Sequence, residues 1–206
     1  MGLTAERLRA GLDALGEIEP AFTAARARIG DPPPRIRERG YSTLLQAIVS
    51  QQVSVKAAAA ILARVEEATG GCGDPANVAR TSDDDLRAAG LSWGKISYVK
   101  SLADEVLSGR LDFANLPEED EAAIAALTRV KGIGRWSAEV YLLFAEGRGD
   151  MWPAGDLAVR QEIGRILGLD DPDPTEKHIR ALAEAWRPHR GTAAIFAWHH
   201  RHIVPL

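Results

Sequence analysis

Apolar positions recur every three to five residues along almost the whole chain. Leu3, Leu8, Leu12, Leu15 and Ile18 form the first series and predict one amphipathic helix. DPPP at 31–34 stops any helix and makes a rigid connector. From Tyr41 to Thr69, Leu44, Leu45, Ile48 and Val49, then Val53, Ile61, Leu62 and Val65, predict two helices. Ser50-Gln51-Gln52 divides them, and Ser54 is suited to cap the second. GGCGDP at 70–75 reads as a loop. Ser82 caps a short helix that Gly90 ends, and Leu91-Ser92-Trp93 opens another that reaches about Ser108. Pro117 suits the first turn of an acidic helix running to about Thr128. After VKGIG at 130–134 a helix runs from Arg135 to about Glu146, followed by the Gly/Pro-rich link GRGDMWPAGD. Two or three more helices close the chain, over about 157–168, 175–186 and 191–202. No segment alternates with period two. The expectation is an all-α protein of about ten helices, with DPDP at 171–174 and the 30–40 stretch as connectors between helical lobes.

Composition narrows the class. At 206 residues, 46% hydrophobic and 26% charged, the chain has enough apolar surface for a packed core, which excludes a disordered protein. Its single cysteine, Cys72, can close no internal disulfide and rules out a four-cysteine zinc or iron–sulfur centre. No apolar run approaches the roughly 20 residues that span a bilayer, and the amino terminus lacks an export-signal pattern. A cytoplasmic, membrane-free protein is expected. The net charge of −4 argues mildly against a nucleic-acid partner, yet a local basic face can coexist with an acidic total. The surplus is concentrated in DDDL at 83–86, EEDE at 118–121 and DDPDPTE at 170–176, and the first two runs sit at helix starts, expected to face away from DNA.

LTRVKGIGRWSAEVYLLF, residues 127–144, carries the most chemistry. One helix ends, two glycines flank one apolar residue, and a second helix starts at once. Gly132 and Gly134 permit positive φ and close backbone approach, and Ile133 can pack inward. The amides of such a turn can hold a phosphate without side-chain charge, and Lys131 and Arg135 add two cations. A tight helix–helix corner with no ligand is the plain alternative.

Extended in both directions, the segment resembles the helix-hairpin-helix DNA glycosylase superfamily. KGIGRWSAEVYLLF followed by GDMWPAGDLAVRQEIGRIL is similar to that family's hairpin, helix and Gly/Pro-rich loop ending in an aspartate. LLQAIVSQQVSVKAAAAI is similar to its other recurrent stretch, while GLSWGKISYVKSLA at 90–103 and WRPHRGTAAIFAW at 186–198 look most like the 3-methyladenine DNA glycosylase II branch. The resemblance covers about residues 40–200 in order and is to the compact form, without an amino-terminal β-domain.

The resemblance implies two helical lobes with the active site in the cleft between them, in a chain that forms a single glycosylase unit. Residues 127–144 are the hairpin element, and 145–156 the loop that ends in the catalytic aspartate. Asp156 falls at the position of the family's essential aspartate; read alone, an Asp before LAVRQEIGRIL is a helix N-cap, and the two roles are compatible. A carboxylate there would stabilise the oxocarbenium-like transition state of glycosidic cleavage. Trp136 occupies the position where members that also cut the backbone carry a Schiff-base lysine, which implies a monofunctional enzyme using water; core packing is its ordinary alternative. Trp198 matches another aromatic of the base pocket. Two indoles suit a cationic base such as 3-methyladenine or 7-methylguanine, worth about 0.5–2 kcal/mol per cation–π contact.

The base must leave the duplex stack to react. Gln52, with Gln51 beside it, sits where the family inserts a side chain into the vacated space; a solvated helix end is the alternative. Lys131, Gly132, Ile133, Gly134 and Arg135 would contact the DNA backbone. The resemblance also implies a monovalent cation, Na+ or K+, on the carbonyls of Thr128, Val130 and Gly132, with no cofactor required for the chemistry. Val140 and Leu157 replace aromatics of some relatives, His199 stands where some have tyrosine, and Trp152 and Trp93 are candidate substitutes, Trp152 equally a loop anchor. His199, His200 and His202 read as a solvated terminal cluster, and Cys72 as incidental. The expected partner is duplex DNA with alkylated bases, bound by a monomer. The same chemistry on hypoxanthine or a mismatched base, and a module that binds damaged or branched DNA without cutting it, are the alternatives.

Overall fold

The computed structural model describes residues 2–204. Twelve α-helices occur among them: α1 (Ala5–Ile18), α2 (Pro20–Ile29), α3 (Tyr41–Ser50), α4 (Val55–Thr69), α5 (Pro75–Arg80), α6 (Asp83–Ala88), α7 (Trp93–Leu107), α8 (Asp120–Thr128), α9 (Arg135–Tyr141), α10 (Leu157–Leu167), α11 (Glu176–Ala183) and α12 (Arg190–Ile203). A π turn over Leu142–Glu146 prolongs α9, and a 3-10 turn over Glu184–Trp186 prolongs α11. The all-α expectation holds, and no strand occurs among the described residues.

Local chemistry sets most boundaries. Ser54, Ser82, Ser92 and Thr175 each accept a backbone amide three residues on and start α4, α6, α7 and α11. The two helices beyond the expected ten are α2 and α5. Each opens on a proline, Pro20 and Pro75, whose missing N–H costs nothing in the first turn, behind the carboxylate caps Glu19 and Asp74. Pro117 behaves oppositely. It lies outside α8, which begins at Asp120 because the Glu119 carboxylate accepts the amides of Glu121 and Ala122 at 3.0 and 2.5 Å.

Two compact units divide the chain, one built from Met1–Arg37 and Glu139–Leu206, the other from Glu38–Ala138. In the first, α12 is buried along most of its length, from Arg190 through Ala197, and packs against α1, α2 and α10. Phe22, Phe196, Leu8, Leu12 and Leu15 fill this core. In the second, α7 is central, with α3, α5 and α6 against it and α4 packed on α3 and α6. Ile96, Val99, Leu102 and Ala103 of α7 and Leu44, Leu45 and Ile48 of α3 are buried in this core.

Candidate active site

The hairpin up to Ala138, its turn included, belongs to the second unit. α8 ends at Thr128; the Val130 amide donates to the Leu127 carbonyl at 3.2 Å and the Ile133 amide to Val130 at 3.0 Å, closing two successive tight turns. Val130 and Ile133 are buried and pin the turn, while Lys131, Gly132, Gly134 and Arg135 are exposed. Gly132 has φ +80, and a Cβ there would strike the Tyr98 ring of α7. Gly134 departs from expectation: its φ is not positive, and a Cβ added to it would meet nothing within 4 Å. Its carbonyl accepts the Ala138 amide at 3.1 Å, so it is the residue capping α9.

α7 buttresses the hairpin. Tyr98 lies under Gly132, and Ser101 Oγ accepts the Lys131 amide at 3.1 Å. The same helix reaches the end of α3, where Lys95 Nζ donates to the Val49 carbonyl at 2.7 Å; burial lowers the pKa of that ammonium. Gln51 joins the two elements directly, its Nε2 donating to the Gly132 carbonyl at 2.9 Å. Gln52 is exposed and has φ +55, the one non-glycine residue with positive φ among those described. A side chain held in that region costs about 1–3 kcal/mol, strain that tends to gather at functional sites.

One acidic run departs from expectation. Glu121 does not face away from the hairpin: its carboxylate grips the Arg135 guanidinium through both oxygens, one contact at 2.8 Å. Arg135 therefore carries a compensated charge. The pair forms because α8 and the start of α9 are the two arms of one hairpin.

The loop ending at Asp156 belongs to the first unit and is held at several points. Trp152, Pro153 and Ala154 are buried. Trp152 meets Trp186 edge to face at 5.7 Å and Trp186 meets Phe22 at 5.2 Å, contacts worth about 0.5–1.5 kcal/mol each beyond area burial. Trp152 is thus a loop anchor and not pocket surface. Asp150 accepts Arg190 Nε and Nη2, both at 2.8 Å, and the Gly149 carbonyl accepts the Gly191 amide at 2.8 Å. Asp156 is half-buried and caps α10: one carboxylate oxygen accepts the Val159 amide at 2.9 Å, and its own amide donates to Pro153 at 2.9 Å.

Trp136 is 48% exposed, which removes core packing as its explanation. Trp198 is half-buried and tilted 33° against Phe144, centroids 5.6 Å apart. Leu157 is exposed and Val140 half-buried. Trp93 is exposed at the start of α7, with the Arg87 guanidinium 5.8 Å above its ring. The histidines are not one solvated cluster. His200 is buried with Nδ1 2.7 Å from Glu162, and His199 Nε2 lies 3.3 Å from the Ile29 carbonyl; of these three, His202 alone is exposed. No group of three His, Cys, Asp or Glu placed to hold a metal occurs among the described residues.

The Thr128, Val130 and Gly132 carbonyls are hard neutral oxygens of the kind an alkali cation takes. Val130 already accepts Ile133 and Gly132 accepts Gln51, and each keeps a second lone pair. The donor set fits such an ion.

Cys72 is buried and its amide donates to Glu66 at 2.7 Å. Burial, then the Glu66 carboxylate, pushes the thiol up to about 12. We expect the folded protein to resist iodoacetamide at pH 8 and the unfolded chain to react fully; mass spectrometry before and after denaturation distinguishes the two. Labelling of the folded protein would show that Cys72 is accessible as thiolate.

Known proteins share this order of elements. Residues 45–188 match the HhH-GPD superfamily base excision DNA repair protein family. DNA-3-methyladenine glycosylase 1 of Schizosaccharomyces pombe is 34% identical over 166 residues, 79% of this chain and 72% of that protein. The crystal structure of a Bacillus halodurans DNA-3-methyladenine glycosidase superposes with TM-score 0.83 at 33% identity, covering 91% of this chain and 87% of that one. A Schizosaccharomyces pombe 3-methyladenine DNA glycosylase in complex with abasic DNA superposes with TM-score 0.77 at 30% identity, covering 92% and 95%. No described helix is long and apolar enough to cross a membrane. With a glycine hairpin, a buried-anchor loop and a capping aspartate in the family's order, the chain belongs to the HhH-GPD superfamily of base excision DNA repair proteins, in its 3-methyladenine DNA glycosylase branch.

Proposed function

We propose that this chain is a monofunctional DNA glycosylase that removes alkylated purines of the 3-methyladenine and 7-methylguanine type and leaves an abasic site. The observation that carries the reading is Trp136: an exposed indole stands where backbone-cutting relatives have an amine nucleophile, in a chain 34% identical to a DNA-3-methyladenine glycosylase. With no lysine at that position, water is the nucleophile, and Asp156 supplies the negative charge that the oxocarbenium-like transition state requires. The charge on an alkylated purine makes it a ready leaving group and favours the faces of Trp136 and Trp198.

DNA is held at two elements of the second unit. The exposed turn, anchored by Ile133, offers the Gly132 and Gly134 amides to a phosphate with the Lys131 side chain beside them, and the open space at Gly134 suits close approach. The Thr128, Val130 and Gly132 carbonyls would hold Na+ or K+, which would supply a positive charge that attracts a phosphate. Gln52, strained and flanked by exposed Val53 and Val55, fills the gap left by the flipped base, with Gln51 bracing the turn.

Methylated duplex treated with the protein should break only after hot alkali, and borohydride should trap no covalent adduct; scission without alkali, or a trapped adduct, would exclude the water mechanism. Lys131→Ala should reduce the slope of log affinity against log salt by about 1, as one phosphate contact is lost. Arg135→Ala should change it much less, because Glu121 already compensates that charge. Equal slopes for both variants would show that the Glu121 pair opens on binding.

A further inference from the structure

The loop that presents Asp156 is gripped by a side chain the resemblance does not single out. Arg180, on α11, divides its guanidinium among three elements. Nη1 donates to the Trp152 carbonyl at 3.3 Å, Nη2 to Glu139 Oε1 at 3.2 Å, and Nε to Glu176 Oε1 at 2.9 Å. Glu139 is buried on α9, where a carboxylate gains from an ion-pair partner. Arg180 is thereby tied to the rigid helix, and the loop is tied to Arg180.

The contact at Trp152 falls at the head of the turn that carries Asp156. That carbonyl also accepts the Ala154 amide at 2.8 Å, the next carbonyl, Pro153, accepts the Asp156 amide at 2.9 Å, and the Asp156 carboxylate caps α10. The turn from 152 to 156 is two interlocked hydrogen bonds long, so a shift at its first carbonyl is passed to its last residue. Trp152 anchors the loop by packing, which fixes depth; the planar fork of Arg180 fixes direction. Arg180, Glu139, Trp152 and Asp156 all lie in one compact unit.

We propose that Arg180 is a positioning residue for Asp156, acting with Glu139 to orient the turn that carries the catalytic carboxylate. Its role rests on the glycosylase reading of the site. Lysine can keep the ion pair with Glu139 but cannot bridge three oxygens from one plane. Misplacing a catalytic group by about 1 Å can cost about a hundredfold in rate.

The experiment compares wild type, Arg180→Lys and Arg180→Met by single-turnover base release from methylated duplex at saturating protein. Rates are expressed per molecule competent to bind abasic-site duplex, and Kd for that duplex and Tm are read alongside. The expected result is a rate about ten- to a hundredfold lower in Arg180→Met and intermediate in Arg180→Lys, with Kd within about threefold of wild type. Should Arg180→Met fail to fold, Arg180→Lys carries the comparison. A wild-type rate per competent molecule with only a lowered Tm would make the network merely structural and overturn the proposal. A loss of affinity equal to the loss of rate would overturn it as well. Wild-type protein that binds the duplex and releases no base would remove the glycosylase reading and this inference with it, a result distinct from variants that keep wild-type rates.

Discussion

Asp156→Asn should cut base release to about a hundredth of the wild-type rate or less and leave the fold and DNA affinity in place. On the proposed function Asp156 has two jobs, which this substitution separates. As the cap of α10 it accepts the Val159 amide, and asparagine caps a helix about as well as aspartate. The amide keeps that hydrogen bond and removes the charge. A group that stabilises developing positive charge contributes only as the glycosidic bond breaks, so its loss appears in the rate and not in ground-state binding. Removing one preorganised electrostatic partner typically costs about 10²–10³ in turnover. Affinity for duplex should hold or rise, since a negative charge near phosphates is gone. Asp156→Ala adds a stability loss of about 1 kcal/mol for the missing cap. The checks are single-turnover release, Kd for abasic duplex and Tm; an Asn variant with wild-type rate would move the catalytic charge elsewhere.

Gly132→Ala should be the most damaging single methyl group in the hairpin. Its φ of +80 disfavours any side chain, and the new Cβ would drive into the Tyr98 ring that supports the turn. Left-handed strain and overpacking together come to on the order of 2–4 kcal/mol, a Tm drop of roughly 5–15 °C in a chain of this size. Weaker DNA binding should accompany it, because the hairpin and the Gln51 contact to the Gly132 carbonyl share that backbone. Gly134→Ala is the informative partner. Its Cβ enters open space at ordinary φ, so Tm should fall by only about 1–4 °C for the poorer cap, yet the methyl stands where a phosphate would approach. A stable Gly134→Ala protein with wild-type affinity would show that DNA does not come close at that point.

What is legible in the sequence is local. Ser54, Ser82 and Ser92 announce their helices because a cap bonds within three residues, and Asp156 before LAVRQEIGRIL is legible for the same reason. Proline misleads in both directions: Pro20 and Pro75 begin helices, whereas Pro117 stands outside one, since the deciding feature is the carboxylate cap and not the ring. Contacts across long separations leave no local trace. Gln51 meets Gly132 81 residues away, and Arg180 meets Glu139 41 residues away, with no pattern that pairs them. His200 looks like its exposed neighbour His202 until Glu162 is brought against it by packing of α10 on α12. The hairpin itself is legible, but the compensation of Arg135 by Glu121 needs both arms in place.

Excision of cationic purines with Asp156 as the stabilising charge is tested most directly by chromatographic identification of the bases freed from a methylated duplex. Wild type and Asp156→Asn run side by side. Wild type should release 3-methyladenine and 7-methylguanine and Asp156→Asn nothing above background, although both proteins bind the DNA. Binding without release by wild type would contradict this mechanism, and would leave a module that holds DNA without cutting the glycosidic bond.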